Sequence, residues 1–184
     1  MKPLSVACVL VLLLCASSFT QDTLPRGEVY GPKAAFRINA PQGWVLDNKA
    51  GLKQGLHCVL YPKGSSWGDA PTIMYAKIAS TEFEDVNVFV AMAMKEMQAT
   101  HRAAKEKIAS GKTRDGKDYF INEYPATESY PQWERVAYVQ LPRAVAYIVL
   151  SSRDESSYRK DSGALQEVLK SFTHREPWAG SEKH

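Results

Sequence analysis

The stretch RVAYVQLPRAVAYIVLSS, residues 135–152, decides the fold class of this chain. Residues 144–150 are apolar at every position, so a strand formed there needs cover on both faces and must lie inside a sheet. Pro142 and Arg143 separate it from the preceding apolar run, which predicts a hairpin. Because a tight hairpin joins antiparallel neighbours, the sheet is expected to be antiparallel.

Shorter patterns predict the other strands of this sheet. Asp115 and Gly116 make a two-residue turn of the kind that suits strand twist, so residues 112–124 are expected to form a further hairpin. Residues 42–51, which include Trp44, are expected to be a turn region. Alternating or continuous apolar runs predict three earlier strands, at 34–41, 55–62 and 72–79.

Two helices are predicted, and together with the strands they define the fold class. The first runs from Asp85, as N-cap, to about Ala109, because apolar residues recur every three or four positions and Gly111 follows as a closing residue. The second covers 161–172, with an apolar stripe for docking. The predicted class is α+β: an α/β/α sandwich with a central antiparallel sheet of about six to seven strands and one main helix on each face.

Residues 1–20 have the layout of a secretory signal peptide: a positive start at Lys2, an apolar run at 6–16, and small residues after it. The apolar run is 11 residues long, whereas a helix that spans a bilayer needs about 20. We therefore predict an exported protein, periplasmic or extracellular, with no transmembrane segment after cleavage. A lipoprotein modified at Cys15 is the alternative, which the bulky Leu14 before it disfavours.

The mature chain is expected to form one domain with an ordinary core. Residues 21–33 predict an irregular lead-in, 34–173 the single folded domain, and 174–184 a loose tail. Cys58 is the only cysteine after residue 20, so no internal disulfide is expected. The net charge of +3 falls to +2 without Lys2, too small an excess to indicate nucleic acid or an anionic membrane surface as partner.

The order of elements, with FRINAPQGW at residues 36–44 and LSSRDESSY…LQEVLKSF at 150–172, resembles the PsbP-like family. In that family an early strand runs into a P-x-G-W turn, here residues 41–44, and a late strand leads into a helix that closes with Ser171 and Phe172. The resemblance covers roughly 34–172. It implies the fold and no shared active site, because family members are mostly accessory or binding proteins.

No catalytic, cofactor or metal-binding constellation is predicted. His57 and Cys58 are neighbours on a predicted strand and would point to opposite faces, so the imidazole cannot activate the thiol. Cys58 lies between two leucines and is expected to be buried and inert. The remaining histidines, His101, His174 and His184, do not have metal-ligand spacing. We therefore expect a non-enzymatic protein without a cofactor or metal.

The link between two strands in LYPKGSSWGDAPTIMY, residues 60–75, admits two interpretations. Trp67 folds back as a lid on the sheet edge, or Lys63 and Trp67 join Tyr130 and Trp133 in a partner-docking surface. The expected function is an exported accessory domain that binds an unknown protein or envelope component through these loop aromatics, in an unknown oligomeric state. The alternative is a small-molecule or lipid carrier, with an apolar pocket between the sheet and residues 89–97 of the long helix.

Overall fold

The computed structural model describes residues 26–80, 82–99 and 104–176. The predicted signal peptide at residues 1–20, the alternative lipidation at Cys15, and His101 lie outside the described residues. Residues 177–184 lie outside them as well. Export therefore stays a prediction from the sequence.

The main sheet has seven strands, all paired antiparallel, as the sequence predicts. In spatial order they are β3, β4, β5, β9, β8, β7 and β6. Their bounds are Trp44–Asp47 (β3), Val59–Pro62 (β4), Thr72–Ile78 (β5), Lys105–Lys112 (β6), Asp118–Tyr124 (β7), Trp133–Leu141 (β8) and Ala144–Ser152 (β9). The doubly apolar β9 takes the central position, because both of its faces are covered.

A second, smaller antiparallel sheet covers part of one face. It consists of Arg26–Tyr30 (β1), Ala35–Asn39 (β2) and Thr173–Arg175 (β10), with β2 in the middle. The first predicted strand therefore belongs to this sheet and not to the main one. Residues 26–30 and 173–175 are also strands where an irregular lead-in and the start of a loose tail were expected, because both pair with the backbone of β2.

One helix lies on each face of the main sheet, which confirms the predicted sandwich. Helix α2, Glu155–Ser171, packs beside the small sheet, where Phe36 stacks on Phe172 at 4.6 Å between ring centroids. Helix α1, Val86–Ala99, covers the other face with Val86 and Val90 against Tyr138. No helix among residues 26–80, 82–99 and 104–176 is long and apolar enough to cross a bilayer.

The first helix begins as predicted but is ten residues shorter. Asp85 Oδ1 accepts hydrogen bonds from the backbone N–H of Asn87 at 2.7 Å and of Val88 at 3.2 Å, which confirms its role as N-cap. The predicted end at about Ala109 is wrong, because α1 ends at Ala99 and residues 105–112 form β6. Pairing of β6 with β7 satisfies its backbone groups, and this overrides the helical spacing of its apolar residues.

Smaller boundaries also differ from the prediction. Asp154 caps α2 by accepting from the N–H of Ser157 at 2.8 Å, so the helix begins six residues before the predicted start. The turn region at 42–51 contains β3, and the strand predicted at 55–62 begins at Val59. The hairpin at Asp115-Gly116 is confirmed, although its loop spans 113–117. The hairpin at Pro142-Arg143 has the predicted two-residue loop.

Candidate partner-docking site

The register of the main sheet brings the two aromatic loops to the same end. Thr72 follows the β4–β5 loop and Trp133 follows the β7–β8 loop, and both pair with Ser152 on β9. We call the loops at 63–71 and 125–132 the loop end of the sheet. Strands β5 and β8 are two strand spacings apart, about 10 Å, so the loops lie side by side over the central strand.

Both loops are fastened to the junction between β9 and α2. The Nη2 group of Arg153 donates to the carbonyl oxygen of Gly68 at 2.6 Å, and its backbone N–H donates to that of Pro71 at 2.9 Å. On the other side, Ser151 Oγ donates to Gln132 Oε1 at 2.7 Å. The loops therefore hold a defined position, so less conformational entropy is lost when a partner binds to them.

The four predicted docking residues share this end but rest on different supports. Lys63 is exposed, and Trp67 is half-buried, with its indole N–H donating to Gln54 Oε1 at 3.1 Å. Tyr130 is half-buried and its hydroxyl donates to Glu134 Oε1 at 3.2 Å. Trp133 is half-buried. Its ring lies 5.5 Å from that of Tyr158 on α2.

A cleft of about 350 Å³ opens beside Trp133, between α2 and the outer strands of the sheet. We call it the Trp133 cleft. The sequence does not reveal most of its members, because they come from four separate elements and no short motif joins them. Its main lining residues are Lys105, Glu123, Trp133, Arg135, Tyr158 and Arg159.

Glu123 is the centre of the hydrogen bonds in this cleft. Its Oε1 accepts from Lys105 Nζ at 2.8 Å, and its Oε2 accepts from Arg135 Nη2 at 3.2 Å and from the hydroxyl of Tyr158. Burial by itself raises the pKa of Glu123, but hydrogen bonds from Lys105, Tyr158 and Arg135 outweigh it and lower the pKa to about 2. Glu123 is thus a fixed anion at neutral pH.

The same network holds Arg135 and Tyr158 in place. Arg135 Nε donates to the hydroxyl of Tyr158 at 2.8 Å, and the guanidinium lies 5.2 Å from the centroid of that ring. Burial, followed by the hydrogen bond to Glu123, raises the pKa of Tyr158, so its hydroxyl stays protonated. The floor of the cleft is therefore a set of hydrogen bonds that converge on one carboxylate, that of Glu123.

Donor groups remain for a ligand. Within the described part of the chain, Arg135 Nη1 and the indole N–H of Trp133 make no hydrogen bond. The lining has three basic side chains, Lys105, Arg135 and Arg159, and two carboxylates, those of Glu123 and Glu155. One basic side chain is therefore in excess. An aromatic wall with free N–H donors suits an oxygen anion attached to an apolar group.

The predicted carrier pocket would lie under α1. Phe89 packs against Tyr147 at 5.2 Å and Tyr138 at 6.1 Å between ring centroids, so aromatic side chains occupy the space beneath it. A cleft of about 430 Å³ lies beside the first turn of the helix instead, between Val86 and Phe120.

The expected burial of Cys58 is confirmed. The side chain is fully buried, and burial raises the pKa of its thiol to about 12, whereas His57 beside it is exposed. Among the residues that the structure describes, no three His, Cys, Asp or Glu side chains group as metal ligands would.

Three solved structures that match this one share little sequence with the chain. LpqN, involved in cell envelope biogenesis of Mycobacterium tuberculosis, is 12% identical, with a TM-score of 0.53 over 85% of this chain and 93% of that chain. Cyanobacterial PsbP from Synechocystis is 14% identical, with a TM-score of 0.49 over 86% and 98%. The Ran-binding protein Mog1p of Saccharomyces cerevisiae is 12% identical, with a TM-score of 0.46 over 82% and 96%.

These similarities concern the fold. The chain has a PsbP-like fold, as its resemblance to that family implied. No protein-family model matches the sequence, and no curated protein sequence matches it either.

Proposed function

We propose that this chain is an exported, non-enzymatic binding domain that docks an acidic segment of a protein partner at the loop end of the main sheet. In this proposal Lys63, Trp67 and Tyr130 contact the surface of the partner, and the Trp133 cleft receives one of its carboxylates. The observation that carries the proposal is the Trp133 cleft itself, with unpaired N–H donors around an aromatic wall.

Charge complementarity favours an acidic occupant. Glu123 is ionised, but it already accepts from three side chains, and Lys105 and Arg135 offset its charge, so it does not repel a second anion strongly. The side chain of Arg159, at the rim, is 74% exposed and forms an ion pair with Glu155, so it can turn toward a ligand at little cost. One carboxylate from a ligand neutralises the one basic charge that the lining has in excess.

The hydrogen bonds that fix the two loops favour a role in binding a partner. Interface hot spots are rich in Trp, Tyr and Arg, and they are most effective when little flexibility is lost on association. LpqN is described as involved in cell envelope biogenesis, and an envelope partner for this chain agrees with the export predicted from residues 1–20.

A pair of synthetic peptides tests the proposal. We expect acetyl-Phe-Glu-amide to shift the indole N–H resonance of Trp133 in a saturable NMR titration, and acetyl-Phe-Gln-amide to bind at least tenfold more weakly. Trp133→Phe keeps the aromatic wall and removes the N–H donor. We expect this variant to bind the acidic peptide several-fold more weakly, because a hydrogen bond to a charged group is lost. Equal binding of the two peptides would exclude an acidic occupant.

A charge control separates the cleft from general attraction. Arg159→Gln should lower the affinity for the acidic peptide. Lys112→Gln, which removes an exposed cation at the far end of β6, should leave that affinity unchanged. If both variants weaken binding alike, the peptide follows the overall charge of the protein and the docking site is elsewhere.

A carrier is the second candidate, favoured by the cleft of about 430 Å³ between Val86 and Phe120. Val86→Trp would fill it. If the chain is a carrier, cis-parinaric acid should bind the wild-type protein with an increase in fluorescence and should not bind this variant. Binding that is equal in the two proteins would remove the carrier as an alternative.

A further inference from the structure

A second surface, away from the loop end, carries two adjoining clefts of about 530 and 380 Å³. Both are lined by Glu28 and Tyr30 of β1 and by His57, which precedes β4. Arg26 and Arg37 line the larger cleft. Lys77, at the end of β5 opposite to Thr72, lines the smaller one, together with backbone and apolar atoms. We call the pair of clefts the β1 clefts.

Gly27 is the reason these groups meet. A Cβ atom at this position would lie 2.7 Å from the Sγ of Cys58 and 2.8 Å from a methyl carbon of Leu46. Only a residue without a side chain lets β1 lie directly on Cys58. This close approach places Glu28, the next residue on β1, beside His57, the residue before Cys58.

The β1 clefts are positively charged. Arg26, Arg37 and Lys77 face a single acid, Glu28, which leaves a net charge of +2 from the lining side chains. The carboxylate of Glu28 already accepts from the Tyr30 hydroxyl and from Arg37 Nε, the latter at 2.8 Å. Within residues 26–80, 82–99 and 104–176, Arg26 and Lys77 form no ion pair.

Glu28 orients the groups around it but does not neutralise the positive charge of the clefts. The hydrogen bonds from Tyr30 and then from Arg37 lower the pKa of Glu28, so its charge is retained and Arg37 stays oriented. Arg175 on β10 is near enough to contribute to the same lowering of the pKa, and it adds a further cation to the surface. The positive field therefore extends from the clefts across the small sheet.

We propose that the β1 clefts bind the phosphomonoester group of a phosphorylated ligand. Arg26 lies opposite Asn39, which is two residues after Arg37 on β2. The two arginines are therefore diagonal neighbours on one face of the small sheet, about 7–8 Å apart, and both can reach one phosphate. A phosphomonoester carries a charge of about −1.5 to −2 at neutral pH, which matches the net charge of the lining. Arginine binds phosphate oxygens through two parallel hydrogen bonds.

Two further polar side chains and an aromatic ring complete the site. The side chains of Asn48 and His57 line the larger cleft and have no hydrogen-bond partner in the described part of the chain, so both are available to phosphate oxygens. Tyr30 is 64% exposed, and its hydroxyl is held by Glu28, so the ring presents a fixed flat face for the organic part of the ligand. This site is independent of the acidic segment proposed for the Trp133 cleft, because the two ligands would bind separate surfaces.

Two probes test the phosphate site and distinguish the sources of such a group. The first is sn-glycerol 3-phosphate, a free phosphomonoester, in an NMR titration of the protein. The second is vesicles of phosphatidic acid in phosphatidylcholine, compared with vesicles of phosphatidylcholine alone. We expect the free ester to shift the amides of residues 26–30, 57 and 77 in a saturable way. Binding to phosphatidic acid vesicles without binding of the free ester would identify a lipid headgroup as the source.

Matched double variants decide whether the clefts or the overall charge is responsible. Arg26→Gln with Lys77→Gln should weaken binding of the responding probe at least tenfold, since two charged hydrogen-bond donors are lost. Lys95→Gln with Lys170→Gln removes the same charge from exposed positions on the two helices and should leave binding unchanged. Equal loss in both double variants, or no binding of either probe to the wild-type protein, would overturn the proposal.

Discussion

The hydroxyl of Tyr158 on α2 donates a hydrogen bond to the carboxylate of Glu123 on β7, 35 residues away in the chain. The same carboxylate accepts from Lys105 on the edge strand β6 and from Arg135 on β8. One buried carboxylate thus joins the second helix to three strands of the main sheet. It also forms the floor of the Trp133 cleft, so the stability of the fold and the shape of the candidate site depend on the same group.

Replacing Glu123 with Gln should destabilise the protein. The substitution preserves the shape but leaves Lys105 and Arg135 without a counter-charge in a place where Glu123 is only 9% exposed. We expect the free energy of unfolding at pH 7 to fall by about 2–3 kcal/mol, measured by urea denaturation. Glu106→Gln is the control, because Glu106 is exposed on the neighbouring strand, and it should change stability by less than about 0.5 kcal/mol.

The contribution of Glu123 should depend on pH with a definite sign. Its folded pKa of about 2 lies below the unfolded value of about 4.3, so its stabilisation is complete above pH 4.3 and is lost as the pH falls toward 2. The difference in unfolding free energy between the wild-type protein and Glu123→Gln should be constant from pH 5 to 7 and shrink below that. A difference that grows on acidification would show that the carboxylate is not stabilised by its partners.

Gly27→Ala should destabilise the fold by overpacking. The added methyl group would meet Cys58 and Leu46 at less than 3 Å, and both side chains are buried in the core, so neither can move aside freely. We expect a loss of about 1–3 kcal/mol in urea unfolding. Gly68→Ala, where the nearest heavy atom would be 4.0 Å away, should be close to neutral. Equal effects at the two positions would show that the loss does not come from close packing.

Gly163→Ala should stabilise the protein. This glycine lies inside α2, where an added Cβ would meet no atom within 4 Å, and its backbone has helical geometry. Alanine restricts the unfolded chain and favours the helix, so we expect a gain of about 0.5–1 kcal/mol, seen as a higher thermal midpoint. A loss of stability would contradict the open space that the structure shows around this position.

The thiol of Cys58 should be unreactive in the folded protein. Because burial raises its pKa to about 12 and the side chain has no exposed surface, the thiolate is both rare and inaccessible. In a background with Cys8→Ser and Cys15→Ser, 5,5′-dithiobis(2-nitrobenzoic acid) should label the protein only after urea is added. Rapid labelling without denaturant would contradict the packing of β1 over this residue.

The sequence predicts best where the decisive contacts are local. The two-residue turn at Pro142-Arg143, the central place of β9 and the buried stripe of α2 all follow from spacing within short segments. The failure at residues 105–109 has the opposite cause. There β6 is an exposed edge strand with no clear alternation, and only its hydrogen bonds to β7 decide its conformation.

The candidate sites were only partly foreseen for the same reason. The sequence singles out Trp133 as a loop aromatic, but nothing in it connects that residue to Glu123, Arg135 or Tyr158. These side chains meet because β7 pairs with β8 and α2 packs across them. Likewise, a net charge of +3 for the whole chain conceals a local excess around Arg26, Arg37 and Lys77.

The amino-acid order alone determined the antiparallel class, the hairpins and the layers over β9, because hydrophobic periodicity and turn chemistry act within a few residues of one another. The tertiary structure alone decided which charges and aromatic rings became neighbours. Those neighbours come from distant strands, and their alignment is set by the packing of the shared core and by close approaches such as Gly27 against Cys58.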